Sequence, residues 1–395
     1  MYNAIMIYLS RSINPFITTA LLISACWLFA SACSSSNTTE IINSVGNPEP
    51  LGKVGSIAQE IQNVDGWINS EAFTLSSLRG QVVLIDFWTY TCVNCIRTLP
   101  YLKEWHNKYA DQGLVIVGVH SPEFEFEHIS ENVQAAVQEF GIEWPVIQDN
   151  DFNIWRSFAN KFWPAKYLID KNGVIQYTHF GEGSYNETEM EIRRWLFDAG
   201  SALEGIPPNP DPGPIRDKQA GARDIKTRQT RELFTGLQFN ANAQPPYITQ
   251  PEFYENPIGT PVLLEDPGGH VNHFLYLNGL WLNGKESIRH ARITNTLEDY
   301  LALKFFGTSV NVVLSVENEP YKVYITLEDK PIPFSLRGTD IEEGLDGKTY
   351  INVTADRMYS IFDSNDYGGH AMRLSSNSNE FSIFSFTFGA YEKGQ

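Results

Sequence analysis

Cysteine is scarce: four residues in 395, which excludes a disulfide-dense scaffold. Two of them, Cys26 and Cys33, lie in an apolar N-terminus, so the rest of the chain holds a single pair, Cys92 and Cys95. Positive charge is also in short supply. With 29 basic against 47 acidic residues the formal net charge is −18, and so acidic a chain repels phosphate backbones and excludes nucleic acid as a partner. No serine stands in a nucleophile-elbow setting, no glycine-rich phosphate loop occurs, and there are no internal repeats. A hydrophobic fraction of 42% with 19% charged residues excludes wholesale disorder. At about 100–200 residues per domain, the length suits two packed cores.

Residues 1–33 form a targeting segment. No charge occurs between Ser12 and Thr39, Arg11 supplies a weak basic start, and the apolar core is short for a membrane span of about 20 residues. It ends in Ala30-Ser31-Ala32-Cys33 and runs into a polar tether, 34–55. This ending resembles a bacterial lipoprotein lipobox, with Cys33 as the lipidated residue. Cys26, after Ile23-Ser24-Ala25, is the alternative acceptor, and a plain signal peptide or an uncleaved anchor are the others. All of these export the protein, so the expected location is the periplasmic side of a bacterial cell envelope, with membrane attachment through a lipid anchor.

The mature chain divides at a linker, 206–231. Five prolines between 207 and 214 exclude a helix or central strand. Arg216, Lys218, Arg223, Lys226, Arg228 and Arg231 follow, a basic run expected to be solvated, with docking to a partner or lipid headgroups as the alternative. Before the linker, 56–205 alternates strand and helix patterns: strands at Val82–Trp88 and Leu114–Val119, helices at Leu99–Tyr109, Ser130–Phe140 and Glu187–Phe197, and a hairpin around Asp170-Lys171-Asn172-Gly173. This order implies an α/β domain, a central mixed sheet flanked by helices. After the linker, 232–395 is expected to be an all-β sandwich or jelly roll. Its strands are read at Val310–Val316, Tyr321–Leu327, Tyr350–Thr354, Tyr359–Phe362 and Phe381–Phe388. Turns are expected at Glu328–Pro331 and Asp366–Gly369, and a lone helix at Asn295–Phe305.

The chemistry lies in Trp88-Thr89-Tyr90-Thr91-Cys92-Val93-Asn94-Cys95. A buried strand ends there and a helix begins, so a thiolate at Cys92 would face free helix N–H groups. The C-x-x-C spacing puts Cys95 within reach to close a disulfide, so Cys92 can attack a partner disulfide and Cys95 can resolve the mixed species. Half of a zinc site is the alternative, but no second C-x-x-C exists and the strand–turn–helix context fits it poorly. Neither metal nor organic cofactor is expected.

Asp86-Phe87-Trp88 ahead of C-x-x-C resembles the thioredoxin superfamily. The export signal, Leu75–Leu84 and the insertion between Val119 and Lys166 resemble its TlpA/ResA-like redoxin branch. Trp88–Arg97, Gly118-Val119-His120-Ser121-Pro122-Glu123-Phe124 and Trp163–Asp170 are similar to the soluble part of DipZ proteins, a thioredoxin-like domain followed by a carbohydrate-binding-module-like β-sandwich. The resemblance spans about 55–395. It implies that Cys92 is the nucleophile, Cys95 the resolving thiol, Asp86 the buried acid that assists proton transfer with Cys95, and Pro164 the cis-proline beside the disulfide. Two departures are Val93-Asn94, where x-Pro is commoner, and Thr91, where Trp is usual; the family's reduction potential therefore does not transfer. DipZ proteins also carry an electron-delivering membrane domain that this sequence lacks, which implies a separate membrane electron donor.

Other candidates are weaker. His120, after the second strand, would be a modulator of Cys92 or an ordinary histidine. Trp281, Tyr276, Trp67 and Tyr367 are candidate stacking surfaces for a glycan bound through the C-terminal domain, and His270 with His273 are candidate metal ligands in what is otherwise a polar loop. The expected function is a thiol–disulfide oxidoreductase that reduces disulfides of exported proteins. The alternatives are a thiol peroxidase and a binding protein with a vestigial redox site.

Overall fold

A computed structural model describes residues 52–210, 218–221, 224–240 and 243–390. Cys26, Cys33, the targeting segment, most of the tether, and Arg216 and Arg223 lie outside the described residues, as does the side chain of Lys218.

Val82–Trp88 (β2) is buried at every position, as a strand covered on both faces must be. It occupies the centre of a six-stranded sheet with β1 (Gly66–Ile68), β3 (Leu114–His120), β4 (Val146–Gln148), β5 (Ala165–Ile169) and β6 (Ile175–Phe180) in the order β1-β4-β3-β2-β5-β6. β2 and β3 are parallel, as are β3 and β4, while β1, β5 and β6 run antiparallel to their neighbours. Helices α1 (Val93–Tyr109), α2 (Ser130–Glu139), α3 (Asn153–Ser157) and α4 (Tyr185–Asp198) make the connections. The expected mixed α/β domain is present; β1, β4 and α3 are too short to have shown a period.

The second domain is all β. Its strands are β7 (Leu233–Phe234), β8 (Pro261–Leu264), β9 (Leu275–Asn283), β10 (Ile288–His290), β11 (Tyr300–Ser315), β12 (Tyr321–Leu327), β13 (Lys330–Pro331), β14 (Glu342–Glu343), β15 (Thr349–Val353), β16 (Arg357–Ser375) and β17 (Ser382–Gly389). They form one hydrogen-bonded antiparallel system around a single apolar core. β11 belongs to both halves of it. Its first residues pair with β9 and its last with β17, and register shifts at Gly307/Ser309 and Val310/Asn311 bend it between them.

Two expectations fail here. Asn295–Phe305 is not a helix: 295–299 is irregular and Tyr300–Phe305 opens β11. Leu301 and Phe305 do have helical spacing, but pairing with β9 and β16 buries Leu301, Leu303 and Phe305 and overrides it. Asp366–Gly369 is not a turn but the middle of β16. Gly369 serves close approach instead, since a Cβ there would lie 2.5 Å from the Phe306 ring across the ladder. The turn after β12 is as expected, with Glu328 and Asp329 both at positive φ.

The two domains share a core. Phe124 and Phe126, from the loop after β3, meet Phe384 of β17 at ring separations of 5.1 and 4.9 Å, and Phe124 also meets Phe234 and Phe239. Phe384 and Val313 pack in one cluster with Trp88, Tyr90 and Cys95. Polar ties flank the wedge. The Glu125 N–H donates to Glu286 Oε2 (2.9 Å) and Asn132 Nδ2 to Asp356 Oδ2 (3.2 Å). The start of the linker is docked too, with Arg193 donating to Ile206 O at 2.7 Å and Asn209 N–H to Glu189 Oε2 at 2.9 Å.

Phe384→Ala should remove about 3–5 kcal/mol of stability, the usual cost of an emptied aromatic site, in denaturant unfolding of the full chain. A loss below about 1 kcal/mol would mean that the wedge is not packed as described.

Candidate active site

Cys92 is the N-cap of α1, in an extended conformation. The Cys95 N–H donates to its Sγ at 3.2 Å, so one of the free amides of the first helix turn points at the sulfur. Both cysteines are free thiols, Cys92 half-buried and Cys95 buried. Burial pushes the Cys95 thiol well above its ordinary pKa, and the Cys92 sulfur and Asp86 carboxyl push it the same way. The asymmetry is chemical: the reachable sulfur meets a donor, and the enclosed one is held as a thiol.

The expected buried acid, Asp86, has a partner that sequence reasoning did not single out, Lys166. Asp86 on β2 and Lys166 on β5 sit side by side in the sheet, almost fully buried, with Lys166 Nζ 3.1 Å from Asp86 Oδ1. The pair attracts without hydrogen-bond alignment, since neither atom has a hydrogen-bonding partner. Burial raises the Asp86 pKa, and Lys166 offsets only part of the rise. The available signal was a lysine inside Ala165–Ile169, a strand otherwise apolar and wholly buried.

Glu127 was also missed, and no sequence signal marked it. It is buried in the Glu125–His128 turn, where Oε1 accepts from Thr91 Oγ1 (2.6 Å) and Oε2 from the N–H groups of Glu123 (2.5 Å) and Phe124 (3.1 Å). This carboxyl ties the residue before Cys92 to the inter-domain loop. The Trp163–Pro164 peptide bond is cis, as expected. Trp163 Nε1 donates to Ser121 O at 3.0 Å, and its ring rests against Trp155 at 4.3 Å. His120 is enclosed between Trp88 and Tyr90, and burial, with His128 adding to it, lowers its pKa to about 3, so it is a neutral packing group at physiological pH.

The structure does not bring the other candidates to a site. Trp281 is fully buried and donates to Asn278 O, and buried Tyr276 stacks on His270, so neither can stack a sugar. Trp67 lies on β1 of the first domain, and the Tyr367 hydroxyl donates to Thr227 O in the linker. His270 contacts Asp266 and His273 contacts Thr230 and Ile225, and no group of three or more metal-ligating side chains occurs among the described residues. No described helix is long and apolar enough to cross a membrane.

Cys92 opens into a cavity of about 570 Å³. It is lined by Val93, Asn94, Arg97, Glu123, Trp163 and Glu182 of the first domain, by Arg228–Arg231 of the linker and by Glu232, Thr387, Phe388 and Ala390 of the second domain.

Residues 54–178 match the AhpC/TSA family, and 263–389 match the family described as thioredoxin-like C-terminal domain. The first domain is a thioredoxin-like α/β domain, and the AhpC/TSA match falls on it. Protein DipZ of Mycobacterium tuberculosis is 43% identical over 145 residues, 36% of this chain and 21% of its own, so the chain spans about a fifth of that relative's length. Thiol-disulfide oxidoreductase YkuV of Bacillus subtilis is 28% identical over 35% of this chain and 92% of its own. A solved thiol-disulfide isomerase from Corynebacterium glutamicum aligns over 35% of this chain and 96% of its own, with 23% identity and a TM-score of 0.32. The AhpC/TSA match runs from before β1 into β6 and stops short of α4, and the C-terminal match covers β9 to β17 with the end of β8.

Lys166→Met leaves a buried redoxin carboxyl without its cation and should cost about 3–5 kcal/mol at neutral pH, whereas Asp86→Asn with Lys166→Met should sit near or above wild type. Because folding raises the Asp86 pKa, its stabilising contribution is complete below the unfolded carboxylate range and lost as pH rises through the folded value. The single variant's deficit should therefore grow with pH in denaturant unfolding. A deficit that shrank with pH would contradict the pairing.

Proposed function

We propose that the protein is an exported, membrane-tethered thiol–disulfide oxidoreductase that reduces disulfides of exported proteins and is recharged by a separate membrane dithiol donor. One observation carries the reading: Cys92 caps α1 with a helix amide aimed at its sulfur, while Cys95 lies enclosed one turn further on. The name of YkuV, a thiol-disulfide oxidoreductase, supports it. Export, the tether and a lipid on Cys33 rest on the N-terminal sequence.

In this reading the Cys92 thiolate attacks a client disulfide and forms a mixed disulfide, and the displaced client sulfur leaves as a thiolate and takes up a proton. Cys95 then attacks Cys92 Sγ, its proton passing to Asp86, and the second client sulfur leaves. The client gains two electrons and the protein is left with a Cys92–Cys95 disulfide, which the donor reduces. A carboxyl whose pKa is raised by burial suits the proton transfer, and the same carboxyl helps to raise the Cys95 pKa. Pro164, following the cavity-lining Trp163, would present backbone to an extended client.

A thiol peroxidase is the second reading, and the AhpC/TSA match favours it. The geometry favours disulfide exchange, because the resolving thiol lies within the same helix turn as the attacking one. An intact dithiol with Asp86 beside it also argues against a vestigial site.

Cys95→Ser should accumulate mixed disulfides through Cys92, and Cys92→Ser should accumulate few or none, when adducts are trapped with acid and identified by mass. Equal trapping by both would reverse or void the assignment. Asp86→Asn should slow resolution of the mixed disulfide by about 10²-fold or more in rapid-quench experiments at neutral pH. Resolution at the wild-type rate would remove Asp86 from the mechanism.

A further inference from the structure

Thr89, Tyr90 and Thr91 carry the chain from β2 to Cys92, and each is held by a side chain from β3 or the loop after it. Thr89 Oγ1 lies 3.3 Å from His120 Nε2, and the Tyr90 ring stacks on His120 at 5.6 Å. Thr91, next to the nucleophile and buried, donates to Glu127 Oε1 at 2.6 Å. The cap that follows is exacting. The Cys95 N–H reaches Cys92 Sγ with Cys92 held extended at φ −80°, ψ 108°.

Glu127 has no exposed surface, and a carboxyl so placed costs free energy that packing alone does not return. The Thr91 hydroxyl and the N–H groups of Glu123 and Phe124 satisfy it in place of a cation. A buried polar group satisfied in this way fixes the segments it joins. One of those segments is the turn into Cys92. The other carries Phe124 and Phe126, whose rings meet Phe384 of the second domain at 5.1 and 4.9 Å, with Phe126 also 6.2 Å from the Tyr90 ring. The exchange mechanism leaves this carboxyl unused.

We propose that Glu127 is a positioning residue that makes the reactivity of Cys92 depend on the docked second domain. The inference rests on the oxidoreductase reading and adds a residue to that site. One carboxyl oxygen holds Thr91 and with it the direction in which the chain enters the cap of α1. The other holds the backbone of the loop that Phe384 grips. The domain interface and the nucleophile are therefore joined through a single side chain. Thr91, which replaces the Trp usual at this position, supplies the hydroxyl that the joint requires.

The test reads two rates on the reduced full chain at one pH: alkylation of Cys92 by iodoacetamide, located by mass, and single-turnover oxidation by 2-hydroxyethyl disulfide. Thr91→Val removes the hydroxyl without changing charge and should slow both about tenfold, while Thr91→Ser, which keeps it, should stay within about twofold of wild type. Glu127→Gln leaves an acceptor for Thr91 but turns an amide donor towards the Glu123 and Phe124 N–H groups, so it should slow both as well. Loss of a negative charge alone would favour the thiolate, so a faster thiol in this variant would overturn positioning. Phe384→Leu, milder than the alanine change, should slow the wild-type protein several-fold and the Thr91→Val variant little further, because the joint it loosens is already open. Wild-type rates in Thr91→Val, no rescue by serine, or losses that multiply in full in the double variant would each overturn the proposal. If the alkylation rates followed this pattern but no disulfide oxidised the Cys92–Cys95 pair, the oxidoreductase reading alone would fall.

Discussion

Everything in this molecule follows from holding one sulfur at the free end of a helix. Cys92 can cap α1 only because the central strand β2 ends at Trp88 and the Thr89–Thr91 segment turns the chain, with the Cys92 N–H donating to Thr89 O at 3.3 Å. The same helix then buries Cys95 against the apolar core, where its thiol is costly to ionise. The unequal solvation of two sulfurs three residues apart makes one an attacking group and leaves the other in reserve. Asp86 and Lys166 lie in the strands under this pair, an arrangement whose desolvation cost is large and for which packing alone gives no reason.

The second domain completes the site. The loop carrying Phe124 and Phe126 is gripped by Phe384, and linker residues Arg228–Arg231 line the same cavity as Cys92. Glu127 joins the two events, since one carboxyl holds both Thr91, next to the nucleophile, and the backbone that leads into the aromatic wedge. Loosening the wedge would therefore disturb the cap of α1 as well as the interface.

What the sequence made legible was whatever depends on near neighbours. The continuous apolar run of β2, the C-x-x-C at its end and the hairpin around Gly173 are local signals, and the structure bears out the strands and helices read from them. Misreadings arose where distant pairing decides. Asn295–Phe305 has helical spacing but is claimed by β9 and β16, and Asp366–Gly369 has turn composition but sits where two long strands cross closely. Aromatic residues in an all-β domain are core by default, which is why Trp281 and Tyr276 are buried and unable to stack a ligand. Lys166 left a trace as a charge within an apolar strand, whereas Glu127 acquires meaning only through contacts across the fold.

The central claim is that Cys92 and Cys95 form one two-electron couple. The direct measurement equilibrates the full chain in dithiol buffers of graded poise, alkylates the remaining thiols and quantifies the Cys92–Cys95 peptide by mass. The account predicts a single transition with a two-electron slope, ending in an intramolecular disulfide, and a reducing midpoint nearer the ~−270 mV of thioredoxin than the ~−120 mV of strong periplasmic oxidants. Independent modification of the two cysteines with no intramolecular disulfide would contradict the couple, and a midpoint near the oxidising limit would reverse the direction of electron flow.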